Sequence, residues 1–213
     1  MEDIKKECRT YEFEMRALEN EEHGHFIEGR AIVFGQPYDN GYFTEYIDHG
    51  ALDQTDLKDV RLLVNHDTSM IPLARSRNNN ANSTMQLMPN YEGMDIRADL
   101  DVERNATSQS LFSATDRGDI SGMSFMFVVD EDEWEGLKTE HPIRHIKSIA
   151  KVFEVSAVTW PAYEQTTLEA RSNAEALESA AETLESARKR AAEDERSKKI
   201  AVLEELLKSI REG

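Results

Sequence analysis

No aromatic residue follows Tyr163, and no proline or glycine lies between Ala162 and Glu212. That break constrains the fold more than any other feature. Upstream, short apolar runs rich in Phe, Tyr, Val and Ile alternate with Gly, Asn, Asp and Pro, the grammar of a sheet protein with frequent turns. Downstream, Ala, Glu, Leu, Lys and Arg dominate, all good helix formers. The boundary predicts a folded unit over residues 1–163 and a charged helical extension over 164–213. In the extension, Leu168, Leu177, Ala181 and Leu184 recur at near-helical spacing, as do Leu203, Leu206, Leu207 and Ile210. This reads as one or two exposed helices. The heptads are too irregular for a coiled coil, though self-association stays open.

Within the first unit, Gly118 to Val129 reads as a tight turn feeding a strand. Alternation puts Met123, Phe125, Phe127 and Val129 on one wholly apolar face, and Ser124, Met126 and Val128 on the other. Further strands are expected over Thr10–Ala17, His25–Phe34, Tyr42–Ile47 and Val60–Asn65. Thr84–Met88 and Met94–Leu100 look like hairpin partners, and Ile143–Ile149 and Lys151–Thr159 like two more strands. Met70–Arg75 suits a bent or edge strand because Pro72 cannot donate to a ladder. Asp48 is placed to cap a brief helix towards Leu57. Asn105–Arg117 has helical character, with Gly118 as its stop. Asp130–Gly136 reads as an acidic loop.

The formal net charge of −17 over 213 residues argues against nucleic-acid binding, which needs clustered Lys and Arg. No apolar run reaches membrane-spanning length, and Met1–Glu7 lacks the apolar stretch of a signal peptide. A single cysteine, Cys8, makes no internal disulfide, which fits a reducing compartment. No His-Glu-x-x-His or paired-Cys spacing points to a metal, and no cofactor motif is present.

Ser124 is the one hydroxyl on an otherwise apolar strand face. The commonplace reading is a small core-edge serine bonded to a backbone carbonyl. The chemical reading is a nucleophile, which requires a base and a group to orient that base. Of six histidines, His66 is best placed, closing the apolar strand Val60–Asn65 at a sheet rim; a strand-end histidine is otherwise plain surface. Alternation puts it on the face of Leu62 and Val64. Asp67 is its sequence neighbour and points away. Glu154 lies mid-strand, sharing a face with Val152, Ser156 and Val158, where a buried carboxylate demands a partner. A histidine N–H would serve. So would Arg144 or Arg75. Ser156 is a weaker alternative member of the group.

Four motifs now stand in order: Asn65-His66-Asp67, Ile71-Pro72-Leu73-Ala74-Arg75, Gly118-Asp119-Ile120-Ser121-Gly122-Met123-Ser124-Phe125, and Glu154-Val155-Ser156-Ala157-Val158-Thr159-Trp160-Pro161-Ala162-Tyr163. Together with Gly29–Gly35 and Gly50-Ala51-Leu52, they resemble the prohead proteases of tailed bacteriophages, themselves distantly similar to herpesvirus assembly proteases. The resemblance spans about residues 10–171. It implies an α+β fold: a mostly antiparallel closed β-barrel flanked by a few helices, with a C-terminal helical extension. It implies a serine endopeptidase with Ser124 as nucleophile, His66 as base and Glu154 as the acidic third member. Oxyanion donors stay open among the backbone of Pro161–Tyr163, Arg75, Arg117 and Arg171. The implied partners are the major capsid protein with its scaffolding segment and the enzyme itself, inside an assembling procapsid in the host bacterial cytoplasm. The rival expectation is a non-catalytic capsid-assembly scaffold on the same fold.

Overall fold

The computed structural model describes residues 6–12, 15–159 and 169–212, with residues 11, 12, 169–178 and 212 entering by backbone alone. In chain order the strands are β1 (Glu7–Glu12), β2 (Arg16–Asn20), β3 (Gly24–Val33), β4 (Tyr38–Asp39), β5 (Thr44–Ile47), β6 (Val60–Val64), β7 (Ala74–Ser76), β8 (Met85–Asn90) and β9 (Gly93–Asp99). Helix α1 (Ala106–Asp116) follows, then β10 (Gly122–Glu135), β11 (Ile143–Val158) and helix α2 (Glu169–Glu212).

The strands form two sheets rather than the closed barrel expected above. One runs β1-β10-β11-β5-β4, with β6 on β11 and β7 beyond β6; the other runs β2-β3-β9-β8. The reason lies in β11. Its first half, Ile143–Ile146, pairs in parallel with Thr44–Ile47, while its second half, Glu154–Ala157, pairs in parallel with Arg61–Val64. One edge of β11 therefore feeds two separate branches, and neither returns to β1. The barrel expectation is corrected to two packed sheets, still mostly antiparallel. Their inner faces share one core. Ile27, Ile32, Met94 and Ile96 of the second sheet meet Met123, Phe125, Phe127 and Val155 of the first, all almost wholly buried. Gly29 lets β3 approach β10, since a Cβ there would stand 2.7 Å from the Met123 Sδ.

Several local expectations also change. The run Thr10–Ala17 splits between the sheets, β1 pairing with β10 and β2 with β3. The acidic stretch after Val129 is not a loop. It continues β10 to Glu135, opposite Ile143–Ser148, and the two strands read from Ile143 onward are one strand with bulges. Asp48 begins a series of turns, not a helix, because Gly50 adopts φ +87°, outside the right-handed helical region. Only Ala74–Ser76 of the Pro72 segment is a strand. Helix α1 behaves as read: Asn105 Oδ1 accepts from the Thr107 and Ser108 N–H groups at 3.0 and 3.2 Å, and Gly118 follows the helix at φ +75°.

Helix α2 is a single element. Ala180 and Leu184 pack on Phe43, Trp134 and Leu137, and Arg188 donates to the carbonyls of Leu137 and Thr139. The apolar stripe further on, Leu203, Leu206, Leu207 and Ile210, is exposed. The predicted boundary at residue 163 falls among residues that are not described.

A buried ion cluster ties β1 to the first sheet. Arg9 makes a bidentate pair with Glu45 (2.5 and 2.8 Å) and reaches Glu7 at 2.6 Å. Arg144 bridges Glu7 (2.7 Å), Glu45 (2.9 Å) and Asp132 (2.8 Å). Burial alone would raise the Glu7 carboxyl, but the guanidinium groups of Arg9 and Arg144 outweigh it and hold the group down from 4.5 to about 2. A depressed carboxyl stabilises the fold fully above its unfolded value and loses that contribution as pH falls through the folded one. We expect about 3 kcal/mol of stability to disappear between pH ~5 and ~2. Thermal unfolding of the native chain and of Glu7→Gln across that range checks it; the variant should show the shallower pH dependence.

Candidate active site

Strand β6 ends at Val64, and the chain then turns sharply. Asn65 and His66 adopt φ +51° and +57°, and the Asp67 N–H closes the turn on the Val64 carbonyl at 3.1 Å. Two consecutive positive φ values with that bond match a type I′ turn, for which Asn at the first central position is well suited. The turn is held from both sides. The Asn65 N–H donates to the Ala157 carbonyl at 3.0 Å, and Asn65 Oδ1 accepts from the Thr159 N–H at 3.0 Å. His66 therefore does not continue the strand's alternation. It folds back over β11.

There it meets two neighbours. Ser124 of β10 stands directly across from Ser156 of β11, and Met126 across from Glu154. Ser124 and Glu154 are thus diagonal neighbours on adjoining strands. His66 Nδ1 lies 2.6 Å from Glu154 Oε1, and Nε2 lies 2.6 Å from Ser124 Oγ. A carboxylate only accepts, so Nδ1 carries a proton and donates it to Glu154. Glu154 is 2% exposed and Ser124 0%, while the His66 side chain keeps 24% exposure. A hydroxyl, an imidazole and a buried carboxylate in line is the arrangement that lets the imidazole take a hydroxyl proton while the carboxylate orients it. The three residues singled out in the sequence come together.

The face assignment around Glu154 needs one correction. Phe153 is a bulge: Val152 opposes Phe127 and Glu154 opposes Met126, leaving Phe153 between them. The extra residue shifts the alternation. Val152 therefore joins Val155 and Ala157 in the core, while Glu154 and Ser156 face His66.

Other candidates go elsewhere. Asp67 accepts from Ser69, Arg75 pairs with Asp59, Arg117 with Asp119, and Arg144 sits in the ion cluster. Pro161–Tyr163 and the Arg171 side chain lie outside the described residues. Among the described residues, no three His, Cys, Asp or Glu side chains gather as metal ligands. An open concavity of about 660 Å³ lined by Phe34, His49, Leu52 and Tyr91 contains none of the three residues.

Two partners were not legible as such. Ser156 Oγ donates to Glu154 Oε2 at 2.5 Å and accepts the His66 N–H at 3.1 Å. It clamps the carboxylate to the backbone of the imidazole's own turn. Only its shared face with Glu154 hinted at this. Ser156→Ala leaves a carboxylate oxygen and an amide without their bonds, so His66 loses its fixed position. We expect kcat/KM for any reaction at Ser124 to fall about 10–100-fold, with partial rescue by Ser156→Thr. Steady-state rates of the two variants check this. The second partner is the Arg9 carbonyl, which accepts a hydrogen bond from Ser124 Oγ at 2.8 Å.

A family model described as caudovirus prohead serine protease matches residues 11–180. The chain belongs to that family. As a prohead serine protease it is a serine peptidase, and the stretch matched takes in both sheets from β2 onward and every residue of the Ser124–His66–Glu154 cluster. No curated protein and no solved structure is significantly similar to it.

Proposed function

We propose that this prohead protease is a serine endopeptidase that cuts the scaffolding segment of the major capsid protein, and itself, inside the assembling procapsid in the host cytoplasm. The observation that carries the reading is the unbroken line Ser124 Oγ, His66 Nε2, His66 Nδ1, Glu154 Oε1, with both links at 2.6 Å. In the proposed reaction, Ser124 Oγ bonds to the carbonyl carbon of the peptide as its proton passes to His66 Nε2. His66 then protonates the leaving nitrogen, the C–N bond breaks, and an ester to Ser124 remains. Water attacks that ester, giving a proton to His66, which returns it to Ser124 Oγ as the C–O bond to the serine breaks and the amino-terminal fragment leaves with its new carboxylate. Glu154 holds the imidazole and stabilises its cationic form throughout. Helix α2, with its exposed stripe beyond Ile200, is the segment we assign to recruitment into the procapsid or to trimming.

One observation favours the rival reading of a non-catalytic scaffold: Ser124 is 0% exposed. Co-expression with the capsid protein separates the two. Intact-mass measurement should show trimmed capsid protein with native Ser124 and full-length capsid protein with Ser124→Ala. Identical masses in the two cultures would favour the scaffold.

A further inference from the structure

The nucleophile proposed above is covered by the chain's own first strand. Strand β1 is an edge strand with β10 as its ladder neighbour, and Thr10 stands opposite Ser124. The hydroxyl of Ser124 has one proton and two acceptors in reach, His66 Nε2 at 2.6 Å and the Arg9 carbonyl oxygen at 2.8 Å. The Arg9–Thr10 peptide thus lies directly against the hydroxyl that a substrate peptide must reach. It is bound as an extended strand antiparallel to β10, the mode by which sheet edges capture peptides.

The side chain that accompanies this carbonyl has a built pocket. The Arg9 guanidinium makes its bidentate pair with Glu45, a carboxylate 1% exposed. It also lies 5.6 Å from the centroids of both the Tyr38 and Phe127 rings. A buried carboxylate with two aromatic rings close to the cation it binds suits a planar guanidinium. When β1 leaves, it takes Glu7 and Arg9 with it. Among the described residues, Glu45 then keeps Arg144, which it shares with Asp132; Arg190 approaches Asp132 from α2 at 3.6 Å. A buried carboxylate that has lost its bidentate partner favours a new cation in the same place.

Building on the peptidase reading, we propose that Glu45, Tyr38 and Phe127 form the specificity pocket for a basic residue, arginine above all, on the acyl side of the bond that is cut, and that β1 holds this pocket as a stand-in until substrate displaces it. The side chain that reads the substrate is therefore 79 positions from the nucleophile (124 − 45) and reaches it across the sheet. Sequence alone offers no sign of it. The stand-in also accounts for a nucleophile with no exposure: the site is complete but occupied.

Three readouts test this. The first is a lock. Cys8 is the chain's one cysteine and stands opposite Met126 in the β1–β10 register. Directly paired strand residues are about 4.5–5.5 Å apart at Cα, within disulfide range. Burial and the charge of Glu154 push the Cys8 thiol up to about 12, so oxidation of Met126→Cys needs a copper–phenanthroline catalyst. Labelling of Ser124 by a fluorophosphonate should be at least tenfold slower in the oxidised than in the reduced variant, and recover with dithiothreitol. Equal rates overturn the stand-in. The second uses the capped peptide Glu-Ser-Arg-Thr-Tyr-Glu, the β1 sequence with serine for cysteine, on the native chain. It should slow labelling, or be cut after arginine, at least tenfold more effectively than versions with alanine or glutamate in place of arginine. A glutamate peptide that performs equally overturns the pocket. The third needs no reactive serine. Amide exchange of residues 7–12 should proceed through a local opening insensitive to low denaturant, while β10–β11 amides exchange only by global unfolding. If neither redox form is labelled, the nucleophile reading of Ser124 fails, and exchange alone judges β1: local opening supports its release, and exchange only by global unfolding overturns it.

Discussion

Peptide cleavage by Ser124→Ala falls about 10⁴–10⁶-fold in kcat, the loss expected when the nucleophile of a working triad is removed. The fold should survive. Ser124 sits in a strand between Met123 and Phe125, whose core contacts alanine leaves intact, and its hydroxyl has one proton for two partners, the Arg9 carbonyl and His66. Losing those costs about 1 kcal/mol. KM should change little, because in the proposed binding mode the substrate pairs with the backbone of β10 and its side chain is read by Glu45, Tyr38 and Phe127, none of which the substitution touches. A Ser124→Ala chain that folds and still cuts at a tenth of the native rate would place the nucleophile elsewhere.

Glu154→Gln should be nearly as damaging to the reaction. The carboxylate accepts from His66 Nδ1 at 2.6 Å and from Ser156 Oγ at 2.5 Å, at a site 2% exposed. An amide of the same shape fills the space but lacks the charge that stabilises the imidazolium, and its NH₂ can face Nδ1 and select the wrong tautomer. The matched loss in a serine triad is about 10⁴-fold in kcat. Stability should move much less, since a neutral amide is easier to bury than a carboxylate. Measuring kcat and the thermal midpoint on the same preparation separates the two effects. A large drop in midpoint with kcat preserved at the remaining folded fraction would make Glu154 structural.

The site was more legible than the architecture, for a physical reason. Ser124 and Glu154 lie in strands whose alternation shows in the sequence, and a polar group on an apolar face stands out whatever the sheets do. His66 was found by its place at the end of an apolar strand, yet its orientation was not, because the turn at Asn65–His66 breaks the alternation that had been extrapolated. The same blindness applies to Val152, displaced by the Phe153 bulge, and to Asp130–Glu135, which pairs as a strand because β11 lies opposite it despite its acidic composition. Which strands share a sheet is decided by long-range pairing, and no local pattern shows that β11 takes β5 along one half and β6 along the other. That split is what keeps the barrel open. Ser156 shows in the sequence only as a weaker member of the group and Arg9 not at all, because their roles rest on individual contacts: Ser156 with Glu154 and the His66 N–H, and the Arg9 carbonyl with Ser124 on the neighbouring strand.

The central claim is that Ser124 is the attacking group and depends on His66. Its most direct test is to treat the active chain with diisopropyl fluorophosphate and map the adduct by peptide mass spectrometry. The account predicts a single adduct on Ser124, formed in step with loss of cleavage activity and absent from His66→Ala. Complete inactivation with Ser124 unmodified and the adduct on another side chain would contradict it.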